Sequence, residues 1–284
     1  MKLHAALGVV MLGLAASTAG CVGDDYGRWG YRQDSEIVFG IAQKKSAEGK
    51  LTTSVGYEFL DVLDSGWSAV GLVSRDRSCW AERLDGRLGQ PRVEGGVATF
   101  EGGSLPPNGI AVIANRPDEL VLDAPAWAGS GDRITFQARG FAMPTIAPQT
   151  LSLPSTELAL LAPADPAAEV AVDTTANELE IGWTPAATAG KRETVVASLV
   201  AIPENAPDSR GVELRCFFDH DAGKGRLPQA LVTRFAALVG GTGVIKGKLH
   251  IATHRQLTIY AQGGWTVYVV ASVDQREQPF TLAR

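Results

Sequence analysis

From Arg133 to Arg139 the side chains alternate. Ile134, Phe136 and Ala138 fall on one side, Thr135, Gln137 and Arg139 on the other. A period of two is the signature of a half-buried strand. It is the feature that most restricts this chain, because the same pattern recurs in short runs from Glu36 onward. Candidate strands are Glu36–Gln43, Val55–Asp61, Ser68–Ser74, Ser78–Leu84, Gly96–Glu101, Ile110–Asn115, Glu119–Asp123 and Arg133–Ala138. Turn residues separate them: Asp64-Ser65-Gly66, Gly95-Gly96, Pro106-Pro107-Asn108-Gly109 and Gly129-Ser130-Gly131-Asp132. Many short strands about ten residues apart predict a sandwich or a barrel.

The composition changes after residue 141. Residues 142–168 carry Pro144, Pro148, Pro154, Pro163 and Pro166 with much alanine. Proline stiffens a chain and removes a ladder donor, so this stretch is expected to be a linker between a domain at 36–141 and a domain at 169–284. In the second half Leu179, Ile181 and Trp183 share a strand face, as do Leu214, Cys216 and Phe218, and Trp265, Val267, Val269 and Ala271. One helix is predicted. Pro228 opens it, Leu231, Val232, Phe235, Leu238 and Val239 form its apolar stripe, and Gly240-Gly241 close it.

Leu179-x-Ile181-x-Trp183-Thr184-Pro185 resembles an early core strand of fibronectin type III domains, and Thr266-Val267-Tyr268-Val269-Val270-Ala271 is similar to a late one. The resemblance implies an immunoglobulin-like sandwich with Trp183 as a packing residue. The helix and the long connections depart from that family. The expected fold is therefore mainly β, with two β-sandwich-like domains, the second immunoglobulin/fibronectin-III-like with one short helix.

The N-terminus reads as an address. Lys2 precedes an apolar run from Ala5 to Ala16, and small residues lead to Cys21. That is the layout of a secretory signal peptide, residues 1–20. The run is too short for a spanning helix, which needs about 20 residues. Thr18-Ala19-Gly20-Cys21 resembles the lipobox of bacterial lipoproteins, with Thr18 where Leu is usual. The resemblance implies lipidation of Cys21, and Val22 in place of Asp implies the outer membrane, with the periplasmic or surface face left open. Several acyl chains hold a protein stably where one does not. Residues 21–35 then form a tether. Its Tyr26-Gly27-Arg28-Trp29-Gly30-Tyr31-Arg32 segment suits either a membrane interface or docking on the first domain.

The chemistry-bearing residues are few. A formal charge of −5 carries no broad basic footprint, so nucleic acid is not an expected partner. Cys79 and Cys216 remain after processing; an oxidising envelope permits a bridge, and two separate buried thiols are the alternative. His250 and His254 have the i, i+4 spacing of a helical metal pair, but the surrounding pattern is that of a strand. On one continuous strand they would stand about 13 Å apart. A turn over Ala252–Gln256 with His250 facing solvent is the expected arrangement. Asp219-His220-Asp221-Ala222-Gly223 begins like a calcium loop. Gly223 and Ala230 stand where an EF-hand needs acids, so a strand-to-helix turn is expected.

No nucleotide loop or nucleophile elbow is complete. Gly241-Thr242-Gly243 leads toward a strand, and Gly66-Trp67-Ser68-Ala69-Val70 lacks its second glycine. Pairs such as Asp61 and Asp64 are expected by chance among 31 acids. These features predict no cofactor, no metal and no enzyme. They predict an envelope lipoprotein acting as a binding or structural module, with an envelope protein or a glycan as partner. Two alternatives stand beside it. One is a carbohydrate-binding module using Trp67, Trp80 and Trp127 as an exposed platform. The other is an envelope hydrolase that gathers His220, His254 and several acids into one cleft.

Overall fold

A computed structural model describes residues 35–45, 50–61, 78–83, 96–113, 120–129, 131–139, 144–175, 178–185, 193–203, 211–262 and 265–283. The signal peptide, Cys21, the tether aromatics, Trp67 and the candidate strand Ser68–Ser74 lie outside these residues.

The described residues are mainly β. Sixteen strands run in chain order: β1 (Ser35–Lys45), β2 (Leu51–Asp61), β3 (Ser78–Arg83), β4 (Val97–Gly102), β5 (Ile110–Ile113), β6 (Leu120–Leu122), β7 (Arg133–Arg139), β8 (Ile146–Ser152), β9 (Ala159–Ala162), β10 (Val170–Asp173), β11 (Leu179–Thr184), β12 (Thr194–Ala201), β13 (Val212–Asp219), β14 (Lys224–Leu227), β15 (Ile245–Ala261) and β16 (Trp265–Ala283). One helix, α1 (Gln229–Val239), follows β14. Alternation builds the strands as anticipated. In β7 Ile134, Phe136 and Ala138 are buried while Arg133 and Arg139 are exposed. Helix α1 starts after Pro228 and buries Leu231, Val232, Phe235 and Val239. Gly240 and Gly241 end it with φ of 72° and 86°, a region that costs glycine little.

A nine-stranded sheet is the backbone of the fold. Its order is β3-β13-β12-β15-β16-β1-β2-β6, with β10 also paired to β16. The long hairpin β15–β16 sits at its centre, 17 and 19 residues in length. At about 3.3 Å per residue each strand runs more than 50 Å, far beyond a usual strand. One side of β16 pairs with β15 throughout. Its other side pairs first with β1, through Glu36↔Thr266 to Lys44↔Asp274, and then with β10, through Val170↔Phe280 to Asp173↔Ala283. Both of those pairings are parallel.

Two smaller layers cover one face of this sheet. The four-stranded sheet β5-β4-β7-β8 closes a core with Ile37, Phe39, Ile41, Trp265, Val267, Val269 and Val273. The rings of Phe39 and Phe136 meet there at 5.1 Å. The three-stranded sheet β14-β11-β9 and α1 close a second core with Val195, Leu199, Leu214, Leu249, Phe280 and Leu282. Trp183 is buried in it, its indole N–H donating to the His220 carbonyl at 2.7 Å. Two sandwich layers thus share one broad sheet.

Two local expectations need correction. Residues 142–168, read from their prolines as a linker, contain β8 and β9. Proline is tolerated at sheet edges, and among the described residues Pro148 lies in β8, the outermost strand of its sheet, while the other four prolines lie outside β8 and β9. No turn interrupts 252–256, because β15 continues through it. The irregularity lies on the facing strand. Ile251 pairs with Arg276 and Ala252 with Asp274, so Gln275 is the extra residue of a bulge.

Candidate functional site

The bulge marks the line where the shared sheet changes partners. Inward positions on either side of it are apolar, and along the line polar side chains stand among them. Thr253 and Arg255 interrupt the series Leu249, Ile251, Leu257, Ile259 on β15. The register aligns Thr253 with Val195 and Val273, Val273 with Gln43, and Gln43 with Thr53. Gln43, Thr53, Thr253, Arg255 and, just before β12, Glu193 are all buried.

These side chains bind the backbone of two segments that cross the sheet between the cores. Thr253 donates its hydroxyl to the Ser155 carbonyl at 2.6 Å. Gln275 donates to the same carbonyl at 3.2 Å and to the Thr253 hydroxyl oxygen at 3.0 Å, and accepts from the Leu158 amide at 3.0 Å. Trp127 donates its indole N–H to the Pro154 carbonyl at 3.0 Å. Gln43 donates to the Trp127 carbonyl at 3.2 Å, and Thr53 to the Ala124 carbonyl at 2.6 Å. A connecting segment buried against a sheet must place its amides and carbonyls somewhere. The seam supplies the partners.

The only buried carboxylate on this line belongs to Glu193, among the described residues. Its Oε1 accepts from the Ser155 amide at 3.0 Å, and its Oε2 lies 3.5 Å from Nη2 of Arg255. The His220 backbone amide donates to the Glu193 carbonyl at 3.2 Å. This puts the imidazole beside the carboxylate, with Nε2 at 3.8 Å from Oε1. His220 is 1% exposed and Glu193 2%. A serine, a histidine and a glutamate are thus gathered, but under the sheet and against the backbone.

The other histidines are elsewhere. His254 neighbours Arg255 in a strand and so faces the opposite side of the sheet. Its Nδ1 is 3.2 Å from the Thr194 hydroxyl, and its ring stands edge-on to Phe217 at 5.1 Å. Burial, with the Arg215 charge adding to it, lowers its pKa to about 4, so the ring is neutral at pH 7. His250 shares that outer face and lies 3.5 Å from Glu277. Hydrogen bonding by Lys248 is the main cause that holds the Glu277 carboxyl below the usual range. His220 and His254 do not meet in one cleft. Asp219 caps a single 3₁₀ turn, accepting from the Asp221 amide at 3.0 Å, and Gly223 closes it at φ 67°. That turn leads into β14 rather than directly into the helix. Among the described residues no group of three or more His, Cys, Asp or Glu side chains is placed to hold a metal ion.

The tryptophans also part company. Trp127 is fully buried in the first core. Trp80 lies on the outer face of β3, its ring stacked on Phe217 at 5.3 Å. The two cannot form one platform. Cys79 and Cys216 occupy directly paired positions on β3 and β13 and are joined as a disulfide, Cα to Cα 4.1 Å. Both sulfurs are buried in the second core.

Sequence reasoning missed Ser155, Glu193, Arg255 and Gln275. The interruption at Thr253 and Arg255 was a usable signal for part of the seam. Glu193 carried none, being one acid among 31.

No family model matches the chain, and no curated protein matches it. Among solved structures, the FN1–FN3 domains of chicken CNTN1 align at 8% identity over 84% of this chain, with a TM-score of 0.19. The chain spans 63% of that structure's length. A TM-score of 0.19 does not define a shared fold.

Proposed function

We propose that the chain is a non-catalytic envelope lipoprotein, held on the outer membrane through a lipid on Cys21, and that its double sandwich is a binding or structural module for an envelope protein or glycan. The buried seam carries this reading. The gathering of Ser155, His220 and Glu193 is closed to solvent, and Glu193 spends its hydrogen bonds on the Ser155 amide and on Arg255. A hydrolytic site needs its nucleophile open to substrate. A structural seam needs the opposite. The C-terminal half, with Ile181 and Trp183 under a strand layer, suits an immunoglobulin-like module, whose loops carry recognition.

Two measurements test it. Metabolic labelling with palmitate should mark the native chain and not Cys21→Ser, and the variant should leave the membrane fraction. Retention of label or membrane association by Cys21→Ser would overturn the anchor. A fluorophosphonate probe and diethylpyrocarbonate should leave Ser155 and His220 unmodified in the folded chain while His250 reacts. Labelling of Ser155 would overturn the non-catalytic assignment.

A further inference from the structure

The contacts around Glu193 hold an unused option. Its Oε1 takes the Ser155 amide at 3.0 Å while Nε2 of His220 waits at 3.8 Å. That is about 1 Å longer than a charge-assisted N–H···O bond. Neither ring nitrogen of His220 has a hydrogen-bond partner, and neither do Ser155 Oγ or Arg255 Nε. All three residues are more than nine-tenths buried. A buried, unbonded imidazole beside a buried carboxylate needs an explanation, because such groups are normally satisfied.

We infer that His220 and Glu193 form a proton-operated latch on the segment that crosses the shared sheet. When the imidazole takes a proton from water, its Nε2–H becomes a cationic donor. It closes onto Oε1 of Glu193 and competes with the Ser155 amide for that oxygen, which weakens and lengthens the amide's bond. The charged groups facing the ring are Glu193, just before β12, Asp221 on the ring's own turn, its Oδ1 3.9 Å from Nδ1, and, beyond Glu193, Arg255 on β15, whose guanidinium lies beside Oε2. From β11, Trp183 holds the His220 carbonyl, so the ring can swing while its backbone stays fixed. The Ser155 carbonyl remains tied to Thr253 and Gln275. The segment therefore pivots about those bonds and does not leave the sheet. The fold gains an acid-sensitive joint between its two cores, independent of any lipid on Cys21.

The test is amide and ring-proton NMR on the full chain between pH 8 and pH 5. A carboxylate-bonded amide proton lies downfield. The Ser155 amide should move upfield along a curve whose midpoint matches that of the His220 ring protons, while the core amide of Ala197 stays in place. His220→Gln should abolish the Ser155 curve. Glu193→Gln, if it folds, should start with the Ser155 amide already upfield. The inference is overturned if the His220 ring titrates with no movement of Ser155. A ring that does not titrate in that range, or a Ser155 curve that persists in His220→Gln, overturns it equally.

Discussion

Removing the Cys79–Cys216 bridge is the sharpest perturbation the fold offers. The two residues are 137 positions apart, so the bridge closes a very long loop in the unfolded chain. In the chain-entropy description a 100-residue loop contributes about 4.7 kcal/mol, and the logarithmic dependence raises this to about 5 kcal/mol here. Measured losses on removing a native bridge are typically about 2–5 kcal/mol, against about 5–15 kcal/mol for a whole domain. The strand it fastens is short. Among the described residues β3 is at the sheet edge and adds Cys79 and Ala81 to the second core. Without the bridge it is held by its ladder to β13 and by contacts such as the bond from Arg83 Nη2 to the Leu238 carbonyl at 3.3 Å. Urea unfolding of Cys79→Ala/Cys216→Ala should therefore show a loss of about 3–5 kcal/mol. Thiol titration of the unfolded, unreduced native chain should find Cys79 and Cys216 unreactive. A loss under about 1 kcal/mol would refute the account, because the loop would then have to be restrained already in the unfolded chain.

Other consequences can be checked on the same footing. His254 is neutral when folded, with its pKa lowered to about 4 against 6.5 unfolded. Its contribution is complete above pH 6.5, falls as the pH drops from 6.5 to 4, and totals about 3 kcal/mol; His254→Gln should flatten that slope in pH-dependent urea titrations, and an unchanged slope would exclude His254 as its source. A Cβ on Gly225 would collide with the Phe218 ring, and one on Gly247 with Phe280 and the Val200 carbonyl, whereas one on Gly40 or Gly56 meets nothing within 4 Å. Melting curves should show Gly225→Ala and Gly247→Ala losing about 1–3 kcal/mol, with Gly40→Ala and Gly56→Ala neutral or slightly stabilising. Thr253→Val removes the shorter of two bonds to the Ser155 carbonyl, which keeps its Gln275 donor, and should cost about 0.5–1.5 kcal/mol by denaturant unfolding. Glu277→Gln, on the solvated outer face beside Lys248 and Lys44, should change stability by no more than about 1 kcal/mol in physiological salt. Because β15–β16 lines both cores, fluorescence from Trp127 and Trp183 in single-tryptophan variants should report one shared unfolding midpoint, and two separated midpoints would mean the shared sheet does not couple the cores.

Much of this fold was legible because its signals are local. The inward triplet of β7, the stripe of α1 and the faces of β11 and β13 each lie within a few residues of chain, where a period of two or 3.6 can be read directly. Pairing is another matter. That β1 lies parallel to β16, more than 220 residues away, follows from no local pattern. Nor could composition show that Pro148 sits within an edge strand while the other prolines of 142–168 lie outside the strands. The seam was half legible. The apolar series on β16 runs Trp265, Val267, Val269, Ala271, Val273 and then resumes at Phe280 and Leu282. Odd positions give way to even ones. A change of parity in a strand that keeps facing one core side requires an inserted residue, and Gln275 is that residue.

The seam also explains why one sheet can serve two cores. A continuous apolar strip along a hairpin of this length would leave the register of the covering layers free to slide, since any stretch of it could pack under either layer. Polar side chains at one line remove that freedom. Thr253 and Gln43, which are buried, and Gln275, which is half-buried, are stable there only if the backbone of the crossing segments sits over them, because each unmet donor or acceptor costs about 1–3 kcal/mol. The bulge at Gln275 works to the same end. It turns one side chain out of the ladder's alternation and toward the Leu158 amide and Ser155 carbonyl, and it resets the parity so that Phe280 and Leu282 still face inward. Position along the hairpin is thereby encoded at its middle, and the two layers on either side inherit it. A chain cut at the composition change near residue 141 would keep β1 and β2 but lose Trp265, Val267 and Val269, which form their side of the first core. The first half is therefore not a self-sufficient unit, and what joins it to the second is the central hairpin of their common sheet.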